Sequence, residues 1–260
     1  MKIGIIGTGN IATYLLEHVN PNHEFECEVV ALFGRNQEVG HQLSEQFHID
    51  FYTDLQGFLN SPIELVVEAA TVEAASAYVK DVVAHKKNLV ISSIGVFKDI
   101  HFYDELKEIA ALNGVQIYLP SGAIGGLDLL QSAQATNGLK SVKITTRKSP
   151  ASLGLDGSHK KQILFEGSAR EAVEQFPKNV NVALVLALAG VGVEKTEVCV
   201  IVDPAAERNT HTIEAEGDFG KMHFQVENNP MPNNPKTSLL AALSILAVLK
   251  NKDLAVKIGN

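Results

Sequence analysis

Three groups of residues in this chain have types and spacings suited to chemistry. Gly7-Thr8-Gly9-Asn10-Ile11-Ala12 stands directly behind the apolar run Ile3-Gly4-Ile5-Ile6 and ahead of a helical stretch. At such a junction the first glycine permits a tight turn, the second lets the backbone approach a pyrophosphate, and a small third residue lets the helix pack close to the strand. The pattern predicts a dinucleotide site with Gly7, Gly9, Asn10 and Ile11 in contact with the cofactor. The second group is Ala31-Leu32-Phe33-Gly34-Arg35-Asn36, which lacks the Asp or Glu that would accept from a ribose 2′-hydroxyl. Gly34 and Arg35 stand there instead. A guanidinium suits a 2′-phosphate, which favours NADP over NAD, whereas stacking of Arg35 on adenine would accept either. The third is His211, expected at the head of a strand behind the polar, chain-reversing segment 203–209. With an ordinary pKa near 6.5, an imidazole there can exchange protons at neutrality. As one of nine histidines it also fits a packing role.

These residues need a scaffold, and the first half supplies a regular one. Strand-like runs at 3–6, 28–33, 65–68, 89–92 and 116–119 alternate with helical patterns near 11–19, 37–47, 72–84 and 100–113. That rhythm predicts an α/β fold, an N-terminal Rossmann domain with a doubly wound parallel sheet. Its strand ends would bring Gly7, Gly34, Ala69 to Thr71, Ser92-Ser93 and Pro120 to Ala123 to one cleft, adding Ala69, Ala70 and Ser93 to the cofactor site. The glycine-rich run Pro120 to Asp128 fits either a backbone approach to a ligand or a plain turn. After Ser121 the pattern changes to strands at 141–147, 163–166, 197–202, 210–215 and 222–226, with helices at 168–176 and 180–190. This predicts a smaller α+β domain with a mixed or antiparallel sheet. The expected division is 1–122 for the dinucleotide and 123–235 for substrate and dimerisation. The breaker-rich segment 228–235 reads as a linker, and the C-terminal helix within 236–260 should pack back on the first domain.

Composition narrows the function classes. With 22 Lys and Arg against 30 Asp and Glu, the net charge is −8, and no basic face is large enough to neutralise nucleic-acid phosphates. The longest uncharged apolar stretch, 180–193, is too short to span a bilayer. Only Cys27 and Cys199 are present, so a disulfide framework is implausible and a reducing cytoplasm fits. No metal-ligand spacing is evident. The second-domain sheet, with one open face, points to a homodimer.

Four further motifs, in order, carry a family resemblance. They are Ser121-Gly122-Ala123-Ile124-Gly125-Gly126-Leu127-Asp128, Phe176-Pro177-Lys178-Asn179-Val180-Asn181-Val182-Ala183, Asp203-Pro204 followed by Asn209-Thr210-His211, and Asn234-Pro235-Lys236-Thr237-Ser238. Together they resemble the L-aspartate dehydrogenase family over essentially the whole chain. The resemblance implies NAD(P)-dependent oxidative deamination of L-aspartate to oxaloacetate and ammonia through iminoaspartate, an activity that can supply NAD biosynthesis. It also implies that His211 is catalytic and that Ala123 and Asn181 contact the cofactor. The Gly34-Arg35 pair departs from the acidic ribose reader of NAD-preferring members.

The implied chemistry needs cations or aimed N–H groups for two substrate carboxylates. Lys236 and Arg208 are candidates, as is the N-terminus of the helix after Gly126, with plain surface charge as the alternative. A rival acylating aldehyde dehydrogenase would need a nucleophilic cysteine at the cleft, and neither Cys27 nor Cys199 fits. Homoserine- or dihydrodipicolinate-type reduction stays open on fold grounds. A non-catalytic NADP-binding sensor is the remaining alternative, and it leaves His211 without a role.

Overall fold

A computed structural model of the chain describes residues 1–22, 24–155, 160–176, 181–232 and 234–258, apart from the side chains of Pro235 and Lys236. The motif positions 177–180 and the side chain of the candidate Lys236 lie outside the described residues. The chain divides into two compact units, Met1–Pro120 with Ser244–Lys257, and Ser121–Leu243.

The first unit begins β1 (Lys2–Ile6), α1 (Asn10–Val19), β2 (Glu28–Phe33), α2 (Gln37–Phe47), β3 (Asp50–Tyr52) and α3 (Leu55–Asn60). It continues β4 (Leu65–Glu68), α4 (Val72–Ala84), β5 (Asn88–Ile91), α5 (Ile100–Asn113) and β6 (Ile117–Tyr118). Every pairing is parallel and the strand order is β3-β2-β1-β4-β5-β6. This is the doubly wound sheet expected from the sequence, and its order reverses between β1 and β4. All four residues of β4 are buried, as a central strand covered on both faces requires. Helix α1 turns Ala12, Leu15, Leu16 and Val19 inward, the spacing of one helical face. Ile245, Leu246 and Leu249 join the same core as Ile5, Leu16 and Val67.

Among the strands and α-helices of the first unit, two escaped the sequence pattern. Strand β3 has three residues between left-handed His48 and the Asp54 cap, and α3 has the six that follow that cap. Neither is long enough to show a period. The strand expected at 116–119 shortens to two residues at the sheet edge.

The second unit contains α6 (Leu127–Gln134), β7 (Leu139–Lys148), α7 (Pro150–Leu153), β8 (Gln162–Ser168), α8 (Ala169–Gln175) and α9 (Asn181–Ala189). Then follow β9 (Thr196–Val202), β10 (Asn209–Gly217), β11 (Gly220–Asn228), β12 (Pro230–Met231) and β13 (Asn234–Ser238), and last comes α10 (Leu239–Asn251), which from Ser244 onward belongs to the first unit. The five-stranded sheet runs β11-β10-β7-β9-β8, with β7–β9 parallel and the other pairs antiparallel, so it is mixed. Along β7 the inward side chains are Val142, Ile144, Thr146 and Lys148, and the last two are polar. The expected linker 228–235 is instead largely taken up by the β12–β13 pair, because a backbone rich in prolines can still close a two-strand ribbon.

Candidate active site

In the first unit, Gly7, Gly34, Ala69 and Ser92 each directly follow a parallel strand, so they share the carboxyl edge of the sheet. Gly7 has φ +122°, and a Cβ there would lie 2.6 Å from the Ala69 carbonyl oxygen, so only glycine fits. Gly9 differs: a Cβ would meet nothing within 4 Å. The protein itself does not require glycine at position 9. The open space adjoins the start of α1, where Gly9 is the N-cap and offers no side-chain acceptor to the first amides. Uncapped N–H groups and the positive end of a ten-residue helix form an anion cradle, which fits the pyrophosphate of a dinucleotide. Asn10 is exposed and Ile11 half-buried beside it.

Gly34 is buried against Thr8, whose Cγ2 would stand 2.7 Å from an added Cβ, so the glycine brings the end of β2 against the phosphate turn. Arg35 is exposed and has no ion-pair partner among the described residues. Ala69 and Ser93 are buried and Ala70 is exposed. Glu68, absent from the sequence-based set, is fully buried and accepts hydrogen bonds from Ala70 N–H and from Ser93. Burial pushes its carboxyl above the ordinary range, opposed by those bonds.

In the second unit His211 is the third residue of β10 and only 3% exposed, more enclosed than a strand-head position predicts. Its Nδ1 lies 3.0 Å from Oγ1 of Thr146, its cross-strand neighbour on β7. Burial, aided by the Lys148 charge, pushes the imidazole down to about 3, which corrects the expectation of a value near 6.5. The ring is therefore neutral at pH 7. Lys148 is itself buried, and burial lowers its pKa. Thr146 and Lys148 were missed, although polar residues at inward positions of an alternating strand were a usable signal.

The turn leading into β10 is fixed by Asp203, which accepts from Ala205 N–H at 2.9 Å and from Arg147 Nε at 2.8 Å. These two donors hold its carboxyl below the usual range. Beyond the turn, Arg208 is exposed at one side of a cavity of about 340 Å³, lined also by Ser149, Ser152, Asn209 and Asn228. Asn209 precedes His211 by two residues on the same strand face. Asn228 donates its Nδ2–H to the Ala123 carbonyl oxygen at 3.0 Å. Ala123 is buried, in the glycine-rich run whose Gly122 and Gly126 adopt φ of +65° and +77°. Asn181 opens α9 and is half-buried. A larger cavity of about 420 Å³, lined by Asn20, Glu28 and His48, sits at the opposite edge of the first sheet from the glycine turn. Among the described residues no cluster of three or more His, Cys, Asp or Glu side chains could hold a metal, and no helix is long and apolar enough to cross a membrane.

Comparison with known proteins agrees with both halves. The family model "Homoserine dehydrogenase, NAD binding domain" matches residues 7–120, and "Aspartate dehydrogenase, C-terminal" matches 128–252. The L-aspartate dehydrogenase of Methanospirillum hungatei is 38% identical over the full length of both chains, and that of Methanococcoides burtonii is 41% identical over 96% of each. The crystal structure of aspartate dehydrogenase from Thermotoga maritima superposes with a TM-score of 0.82 at 33% identity, covering 100% of this chain and 99% of that one. A scyllo-inositol dehydrogenase from Lactobacillus casei, at 14% identity and a TM-score of 0.58 over 99% and 90% of the two chains, shares the fold alone. With identity of this extent running from end to end, the chain belongs to the L-aspartate dehydrogenase family.

Proposed function

We propose that the protein is an NAD(P)-dependent L-aspartate dehydrogenase that deaminates L-aspartate to oxaloacetate and ammonia through iminoaspartate, with His211 as general acid/base. The observation that carries this reading is the full-length match to relatives bearing that activity in their names. A homoserine-type reaction is less well supported, because the C-terminal half matches an aspartate dehydrogenase model.

The chemistry that a bound nicotinamide supplies is acceptance of the Cα hydride. The protein must do the rest. An ammonium cannot push electrons into a forming C=N bond, so a base must first take its proton. His211 suits this when Nδ1–H donates to Thr146 Oγ1, which leaves the Nε2 lone pair free. A neutral imidazole pushed down to about 3 is a weak base by itself. Burial is the larger cause of that descent, so substrate carboxylates drawn toward Lys148 offset only the smaller part of it, and the negative charge they bring beside the ring favours its protonated form. Arg208 and Lys236 are the other proposed partners for the carboxylates. The imidazolium passes that proton to solvent, and the freed imidazole then takes one from the water that attacks the imine. Returning it to the amino nitrogen and accepting the carbinolamine hydroxyl proton lets ammonia leave as the C=O forms.

Gly7, Gly9, Asn10 and Ile11 hold the pyrophosphate, Gly34 and Arg35 the adenosine ribose, and Ala69, Ala70 and Ser93 the rest of the cofactor along the sheet edge. Ala123 and Asn181 are assigned by family resemblance. Arg35, exposed and without an ion pair among the described residues, favours NADP over NAD. The same reading takes the protein as a homodimer through the second sheet. The two free thiols, Cys27 and Cys199, fit the cytoplasm. The test follows absorbance of reduced cofactor with L-aspartate, D-aspartate, L-glutamate and L-malate, each with NAD and NADP. Turnover of L-aspartate is expected, and turnover of malate without aspartate overturns the assignment.

A further inference from the structure

Glu68 ends β4 with no exposed surface, and no cation pairs with it among the described residues. A buried carboxylate without a counter-charge is costly and persists only where hydrogen bonds satisfy it. Three do so here. Oε1 accepts from Ala70 N–H at 2.9 Å and from Ser93 Oγ–H at 2.8 Å, while Oε2 accepts from Ser93 N–H at 2.9 Å. Ala70 belongs to the loop after β4 and Ser93 to the loop after β5. The first of these loops also rests on the glycine turn, since Ala69 leaves no room for a side chain at Gly7. One carboxylate thus ties together loops that leave the sheet at the point where its strand order reverses, the place where open α/β sheets bind ligands.

We infer that Glu68 is a positioning residue for the cofactor, holding Ala70 and Ser93 at the spacing the bound dinucleotide requires; this rests on the cofactor assignment proposed above. The requirement for Glu is chemical. Donors reach both oxygens, and a glutamine would turn an NH2 group toward one of them, leaving donor against donor. Hydrogen bonds to a charged acceptor are also the stronger kind, so the clamp weakens more than it would on losing a neutral bond. Glu68 touches neither substrate nor reacting atoms in this role. Its loss should appear in cofactor affinity rather than in aspartate affinity.

The experiment measures NADH and NADPH dissociation constants by fluorescence titration of wild type, Glu68→Gln and Ser93→Ala, with circular dichroism and thermal melting as checks on folding. Glu68→Gln is expected to raise the cofactor Kd about tenfold or more, and the KM for L-aspartate at saturating cofactor by less than about twofold. Ser93→Ala, which keeps the backbone donor, should raise the cofactor Kd about threefold. The double variant should be no worse than Glu68→Gln, because both changes break one clamp. Unchanged cofactor Kd in Glu68→Gln overturns the inference, as does an equal loss in cofactor and aspartate affinity, which marks a general structural role. If Glu68→Gln does not fold, unchanged Kd in Ser93→Ala overturns it. A wild-type protein that binds neither nucleotide overturns the functional reading as well, whereas wild-type binding that survives Glu68→Gln overturns this inference alone.

Discussion

Thr146 and His211 face one another across β7 and β10, with Oγ1 and Nδ1 3.0 Å apart and both side chains buried. In the proposed reaction this hydroxyl orients the ring and, by accepting from Nδ1–H, leaves Nε2 for the substrate. His211→Ala should therefore lower kcat by at least about 100-fold while cofactor Kd stays within about twofold. Thr146→Val should lower kcat about tenfold, and Thr146→Ser should restore it. Steady-state kinetics and fluorescence titration check both, and an unchanged kcat in His211→Ala removes that residue from the mechanism.

Acid should destabilise the protein through the same histidine. The folded imidazole titrates at about 3, whereas an unfolded one titrates near 6.5, so between those values the unfolded state binds the extra proton. This contribution is fully present above pH 6.5 and is lost as pH falls toward 3, at about 1.4 kcal/mol per pH unit. Glu68, whose pKa is raised, contributes with the opposite sign as pH rises past the ordinary carboxylate range. Denaturant unfolding of wild type and His211→Asn between pH 4 and 7 isolates the histidine, since the variant should show the shallower slope.

The two glycines of the phosphate turn should respond in opposite ways. Gly7→Ala places a methyl 2.6 Å from a backbone oxygen at positive φ and should cost about 2–4 kcal/mol of stability. Gly9→Ala meets open space at φ −90° and should change stability by less than about 1 kcal/mol. Its expected effect is a cofactor Kd raised about tenfold, because the methyl occupies room assigned to the pyrophosphate. Thermal melting and nucleotide titration separate the two outcomes.

Cofactor preference should follow Arg35. Its exposed guanidinium has no ion pair among the described residues to lose, so Arg35→Ala should leave the melting temperature unchanged. The KM for NADP should rise about tenfold and that for NAD less than about twofold. Equal changes for the two cofactors dismiss the 2′-phosphate contact.

The sequence alone carried much of this. Alternation of apolar strands with amphipathic helices marked the parallel sheet, since burial on both faces demands continuous apolar runs. The Gly7–Gly9 turn was legible because it stands between an apolar strand run and a helical stretch, and at Gly7 the close approach of the Ala69 carbonyl admits no side chain. His211 was legible through the ordered motifs around it. Residues whose roles arise from contacts distant in the chain were not. Glu68 and Ser93 are 25 residues apart and Thr146 and His211 are 65 apart, so neither pair has a local spacing to read. The imidazole's descent to about 3 likewise depends on how much water the fold removes and on a lysine brought beside it from another strand. Local periodicity specifies which strands and helices form; tertiary packing decides which polar groups lose water together, and with that their chemistry.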